Sequence, residues 1–101
     1  MPLDTLILAI LKKGDTYGYA LTLIIKEIFS CSESTLYPVL RRLQKDGYLA
    51  FYDSPHSGRN RRYYTLTSLG DSRLAEKTAE WEEYKQKADT ILYGGGANEQ
   101  K

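Results

Sequence analysis

The stretch STLYPVLRRLQKDGYL, residues 34–49, constrains the fold more than any other part of the chain. Leu36, Leu40 and Leu43 recur at helical spacing and define one apolar stripe. Ser32, Ser34 and Thr35 offer side-chain oxygens to the unpaired N–H groups of a helix start. A proline has no N–H and is best accommodated in the first helical turn, so Pro38 predicts a start near Ser34 or Thr35. Gly47 then supplies the stop, after a helix running to about Asp46. The next residues, YLAFYD, alternate and are rich in aromatics, which is the pattern of a strand. A short capped helix must therefore turn directly into a strand.

Similar punctuation divides the rest of the chain. Asp4 is placed to cap a first helix with Leu6, Ile7, Ile10 and Leu11 on its apolar side, stopped by Gly14. Thr16 is placed to cap a second, whose stripe is Tyr17, Leu21, Ile24, Ile25 and Ile28, ending between Phe29 and Cys31. Beyond the strand at 48–53, SPHSGRN reads as a loop. RRYYTLT reads as a second strand, closing a β-hairpin with basic residues at its tip. A long helix follows from Thr67 or Ser68 to about Tyr93. Residues 94–101, opening on three glycines, read as a disordered tail.

Several function classes are excluded at this level. The 101 residues form one small domain, and a core of that size is often supplemented by oligomerisation. No apolar run reaches the roughly 18 residues of a membrane span. The apolar start lacks the basic region and cleavage site of a signal peptide, so a cytoplasmic protein is expected. Cys31 is the sole cysteine and His56 the sole histidine. Neither a disulfide within the chain, a structural zinc site nor a nucleophile–base triad can be assembled from them, so no enzyme, metal or cofactor is expected. Cys31 reads as a half-buried small residue, and His56 as a loop residue facing solvent or phosphate.

The net charge of +1 is unevenly spread. Residues 41–62 hold six basic residues against two acidic, whereas 67–101 hold five basic against seven acidic. A basic middle next to a mildly acidic C-terminal part fits a nucleic-acid-facing half joined to a half with another task. Three helices, a basic hairpin and a long helix follow the order of a winged helix-turn-helix with a C-terminal extension. The expected fold is mostly α with a small β-hairpin. The expected division is a winged-helix domain at 1–66, a dimerisation helix at 67–93 and the tail.

Three stretches, LILAILKKGDTYGYAL, STLYPVLRRLQKDGYL and GRNRRYYTLTSLG, closely resemble the PadR-like transcriptional regulators of bacteria. With its single helix after the wing, the chain looks like the short subfamily that includes multidrug-binding repressors. The resemblance implies a homodimeric repressor on a pseudo-palindromic double-stranded operator, released by a phenolic or planar hydrophobic ligand. It places the recognition helix at Ser34 to Asp46 and the wing tip at about Ser54 to Arg61. Trp81 falls where some drug-binding relatives carry a tryptophan at the dimer interface.

The residues themselves are suited to that task. The major groove admits an α-helix and displays base edges in a readable pattern. Ser34, Thr35 and Tyr37 lie in the first turns of the expected recognition helix. Tyr37 and Arg41 share one face, and Arg42 adjoins it, opposite the leucine stripe. On the wing, Arg59, Arg61 and Arg62 suit phosphate contacts. Strand alternation turns Arg61 and Arg62 to opposite sides, so one is expected to reach DNA and the other to pair with an acid.

In the long helix, Leu74, Thr78, Trp81, Lys85, Ala88 and Leu92 trace a heptad-like seam, interrupted by Lys85 and flanked by Tyr84 and Ile91. A second copy is its expected partner. Trp81 reads either as plain dimer core or, with Tyr84, as the wall of a pocket for a planar effector. An alternative reading of the whole is a winged-helix module that docks another protein, without specific DNA binding.

Overall fold

A computed structural model describes residues 2–94. The elements are α1 (Leu3–Lys13), β1 (Thr16–Tyr17), α2 (Gly18–Lys26), α3 (Glu33–Lys45), β2 (Leu49–His56), β3 (Arg59–Leu66) and α4 (Ser68–Tyr93). The strands form one antiparallel sheet in the order β1-β3-β2. The hairpin register runs from Leu49 opposite Leu66 to His56 opposite Arg59.

The core lies where α1, α2 and α3 meet one face of this sheet. It consists of Ile7, Leu8, Leu11, Leu21, Ile25, Leu36, Leu40, Leu43, Leu49 and Tyr64. The three leucines of the α3 stripe are all fully enclosed, as their spacing predicts. Each such side chain contributes about 1.5–3 kcal/mol by leaving water.

Several local expectations are corrected. Pro2, not Asp4, precedes the first turn of α1, and Asp4 instead accepts a hydrogen bond from the Thr5 N–H at 2.7 Å. Thr16 does not cap α2. With Tyr17 it pairs antiparallel to Tyr64 and Tyr63, forming a third strand too short for alternation to reveal. The last residue of α2 is Lys26, and Ile24 and Ile28 are 42% and 76% exposed rather than buried. The α3 helix starts at Glu33, so Pro38 sits in its second turn, within the helix. There its missing N–H removes the i+4 donor for the Ser34 carbonyl, at an exposed position.

The loop expected at 54–60 shrinks to Ser57-Gly58, because both strands run on to the tip. Ser57 and Gly58 have φ of 54° and 78°. A two-residue turn with both centres left-handed matches the twist of the strands it joins.

The joint between α3, the sheet and α4 is closely built. Thr67 caps α4 by accepting from the Gly70 N–H at 3.0 Å, and its own hydroxyl donates to the Gly47 carbonyl at 2.7 Å. Gly70 lies so close to the Tyr48 carbonyl that a Cβ there would collide with it. Asp71 pairs with Lys12 at 2.7 Å, joining the start of α4 to the end of α1. From this joint α4 runs back antiparallel to α1, and the molecule extends to 63 Å in its longest dimension. The tail expected beyond Gly94 lies outside the described residues.

Candidate nucleic-acid interface

The start of α3 is held by hydroxyls. Ser32 Oγ accepts from the Thr35 N–H at 3.3 Å and shares hydrogen bonds with Ser34 Oγ at 2.9 Å and Thr35 Oγ1 at 3.2 Å. Ser34 and Thr35 are exposed at the N-terminal end of the helix, where free N–H groups and the helix dipole favour an anion. Glu33 occupies the same turn and takes part of that field.

Tyr37 is only half exposed. Its ring packs on Gly18, where no other side chain fits, and so ties α3 to the first turn of α2. Burial raises the pKa of its phenol, with Glu33 and Tyr64 adding to the effect. The ring edge is thus structural, and only part of the residue is available to a ligand.

The adjacent arginines differ in their surroundings. Arg42 reaches back to Asp4 on α1, at 3.4 Å. Arg41 is exposed and makes no ion pair among the described residues. Its charge acts instead on the phenol of Tyr64, opposing the rise in pKa that burial causes there.

The wing arginines also separate, as strand alternation requires. Arg62 lies on the core side of the hairpin, its guanidinium 3.9 Å from the centre of the Phe51 ring and 3.8 Å from Asp53. Like Arg41, it acts on Tyr64. Arg62 from the sheet and Arg41 from α3 are thus the two cations whose charges reach Tyr64. Arg61 lies on the other face, 4.5 Å from the Tyr17 ring centre, with its Nε enclosed and unpartnered. Arg59 is exposed beside the turn. The expected separation of Arg61 from Arg62 is observed, with Arg62 the one beside an acid, Asp53.

Tyr17, Tyr52, Tyr63 and His56 form an aromatic layer on the outer face of the sheet that was not foreseen. Tyr52 and Tyr63 stack at 5.6 Å, and Tyr17 meets Tyr63 edge-on at 5.5 Å and His56 at 5.9 Å. The Tyr52 hydroxyl donates to Asp15 at 2.8 Å, which raises its pKa. This layer braces the wing against β1 and sets its angle. The only sequence signal for it was the density of tyrosine around positions 17, 52 and 63.

At the far end of the molecule Trp81 stacks on Tyr84 at 6.0 Å. Together with Pro2, Thr5, Lys77 and Glu80 they line a shallow cleft between α1 and α4. Along the expected seam, Leu74 packs on the margin of the core, Trp81 and Ala88 are half-buried, and Thr78 and Leu92 are exposed. Lys85 pairs with Glu82 on the same helix, at 3.8 Å. No described helix is long and apolar enough to cross a membrane.

Three helices, a wing of two strands completed by a third, and a trailing helix define a winged helix-turn-helix protein. The family model for the PadR-like transcriptional regulators matches residues 7–76, and the chain belongs to that family, which consists of regulators and not enzymes. A crystal structure from Streptococcus mutans UA159 is similar, with 47% identity and a TM-score of 0.87, over 95% of this chain and 91% of that one. The negative transcriptional regulator PadR of Bacillus subtilis is 33% identical over 73 residues, covering 67% of this chain and 40% of that protein. The crystal structure of Bacillus subtilis PadR in complex with operator DNA is 30% identical with a TM-score of 0.69, over 75% of this chain and 46% of that chain.

Proposed function

We propose that this PadR-family regulator is a homodimeric repressor acting on DNA in the cytoplasm, in which residues 1–66 read DNA and 67–93 hold the dimer together. Each copy lays α3 in the major groove of one half of a pseudo-palindromic operator and rests its wing on the sugar-phosphate backbone. Ser34, Thr35 and the exposed part of Tyr37 meet the groove with Arg41. Arg42, Arg59, Arg61 and Arg62 add backbone contacts. The seam of Leu74, Thr78, Trp81, Ala88 and Leu92 pairs two copies, setting the recognition helices about one turn of DNA, roughly 34–36 Å, apart.

The observation that carries this reading is the capped, exposed start of α3 together with Arg41, which is exposed and makes no ion pair among the described residues, because a helix N-terminus and an unpaired guanidinium are then both open to DNA. The operator complex of the Bacillus subtilis relative supports it from outside. A planar aromatic effector, seated against Trp81 and Tyr84, lowers the affinity for DNA in this scheme. The cleft these residues line with Pro2 and Thr5 supports that part.

Fluorescence anisotropy on a duplex from upstream of the protein's own gene tests the DNA reading. Preferential binding over a scrambled duplex is expected, weakening with salt with a log–log slope of about −0.9 per phosphate neutralised. Arg41→Ala is expected to cost about 1–3 kcal/mol on that duplex. Arg42→Ala, which gives up one exposed ion pair with Asp4 and one backbone contact, is expected to cost less and equally on both duplexes. Equal, salt-insensitive binding to both duplexes would instead support a protein-docking winged helix. Trp81 is the only tryptophan, so quenching of its emission by planar aromatic compounds reads the effector site directly.

A further inference from the structure

The first turn of α1 lies between the recognition helix and the cleft at Trp81. On one side, Asp4 Oδ2 meets the guanidinium of Arg42, in the last turn of α3, at 3.4 Å. On the other, Pro2 and Thr5 line the cleft with Lys77, Glu80, Trp81 and Tyr84. One carboxylate joins the two sides. Asp4 Oδ1 accepts from the Thr5 N–H at 2.7 Å and from the Thr5 hydroxyl at 3.4 Å. Thr5 itself is buried, so the residue that aims Asp4 is fixed by its surroundings.

We propose that Asp4 is a positioning residue for DNA binding: it withholds Arg42 from the phosphate backbone, and the turn of α1 that lines the Trp81–Tyr84 cleft sets how firmly it does so. The inference rests on the DNA-binding reading above and deepens it, by naming the contact through which the cleft reaches α3. Three observations support it. First, the pair is of a kind that DNA can open. The Arg42 side chain is 56% exposed and that of Asp4 31%, and an ion pair this open to water is weak enough for a phosphate to displace the carboxylate.

Second, the turn that carries Asp4 is lightly held. No described side chain caps α1, and its opening bond, from the Leu6 N–H to the Pro2 carbonyl, is long at 3.4 Å. The other end of α1 is pinned to α4 by the 2.7 Å pair of Lys12 with Asp71. A displacement at the cleft is therefore taken up by the first turn rather than by the whole helix. Third, the control is selective. Arg41, next to Arg42 in the chain, makes no ion pair among the described residues, so it stays free while Arg42 is held. An occupant of the cleft orders the first turn and firms the hold on Arg42, which lowers the affinity for DNA. By reciprocity, DNA draws Arg42 away and loosens the turn beside Trp81.

The test uses the full chain, Asp4→Asn, Arg42→Ala and the double variant, with the anisotropy duplex above. Asn keeps an oxygen for the Thr5 N–H, and thermal unfolding checks that each variant folds. Asp4→Asn is expected to tighten binding about two- to fivefold, and the gain is expected to vanish in the Arg42→Ala background. An equal gain in both backgrounds overturns the proposal, because Asp4 then acts only as a negative charge near DNA. No gain in either background overturns it too. Trp81 emission reads the link to the cleft. Saturating unlabelled duplex is expected to shift it in the unchanged chain and not in Asp4→Asn or Arg42→Ala. Arg42→Ala opens the same pair from the other side, so this readout survives if Asp4→Asn fails to fold. No shift in the unchanged chain, or the same shift in either variant, overturns the coupling and leaves DNA binding standing. A chain that binds no duplex at any salt concentration overturns both readings.

Discussion

The α3 and α4 helices make opposite use of their sequence. In α3, thirteen residues carry Leu36, Leu40 and Leu43 on one stripe, and all three are enclosed by the same chain. In α4, twenty-six residues bury only Gly70, and its apolar side chains beyond Leu74 find few partners at home. One helix is completed within the monomer and held rigidly, as suits a reading head. The other packs its first half on α1 and leaves the apolar side chains of its second half uncovered, although packing an apolar face is the main source of helical stability. This difference in burial supports the proposed division of labour between reading and pairing.

Substitutions in the two helices put this contrast under test. The largest effect is expected from Leu40→Ala, which opens a cavity in the core and should cost about 2–5 kcal/mol in urea unfolding. Leu92→Ala should leave the unfolding of dilute monomer unchanged and act only where stability depends on protein concentration. Equal effects at all concentrations would remove the distinction between the helices.

Next in size is Gly70→Ala, at the joint between the two regions. Its methyl group meets the Tyr48 carbonyl and the Leu66 side chain, and the shift this forces should cost about 1–3 kcal/mol. If the variant unfolds in two separate transitions, the joint couples the regions; a single transition at unchanged stability would show that it does not.

The smallest effect concerns alkaline pH. The Tyr37 and Tyr64 phenols have pKa values raised above the ordinary 10.0, chiefly by burial. The unfolded chain therefore loses these protons first, and stability should fall as the pH rises through about 10 toward the folded-state values. Tyr64→Phe should flatten that fall in the winged helix, measured by thermal unfolding at pH 9 to 11. An unchanged profile would place the alkaline sensitivity among the exposed tyrosines instead.

Much of the candidate site was legible in advance because its signals are local. The leucine spacing, the hydroxyl cap and Gly47 identify α3, while the family motifs place the wing. The start of α4 was expected at Thr67 or Ser68, and the structure decides for Thr67 as the capping residue, with Ser68 the first helical residue. The roles of neighbouring residues were harder to read. Arg41 and Arg42 are adjacent in the chain, yet Asp4 engages only the second. Arg61 and Arg62 were expected to separate, but their faces were assigned by packing: Arg62 shares the side of Tyr64 and Arg61 stacks on Tyr17.

What the sequence by itself determined are the features that depend on residues a few positions apart: helical periodicity, caps, the change to strand alternation, and the basic middle of the chain. Only the tertiary structure decided that Thr16 and Tyr17 join the sheet, that Ile24 and Ile28 face outward, and that Arg62 lies against Phe51 and Asp53 while Arg61 stacks on Tyr17. These outcomes depend on which distant surfaces meet, and a two-residue strand or a single exposed isoleucine carries no local pattern that encodes its partner.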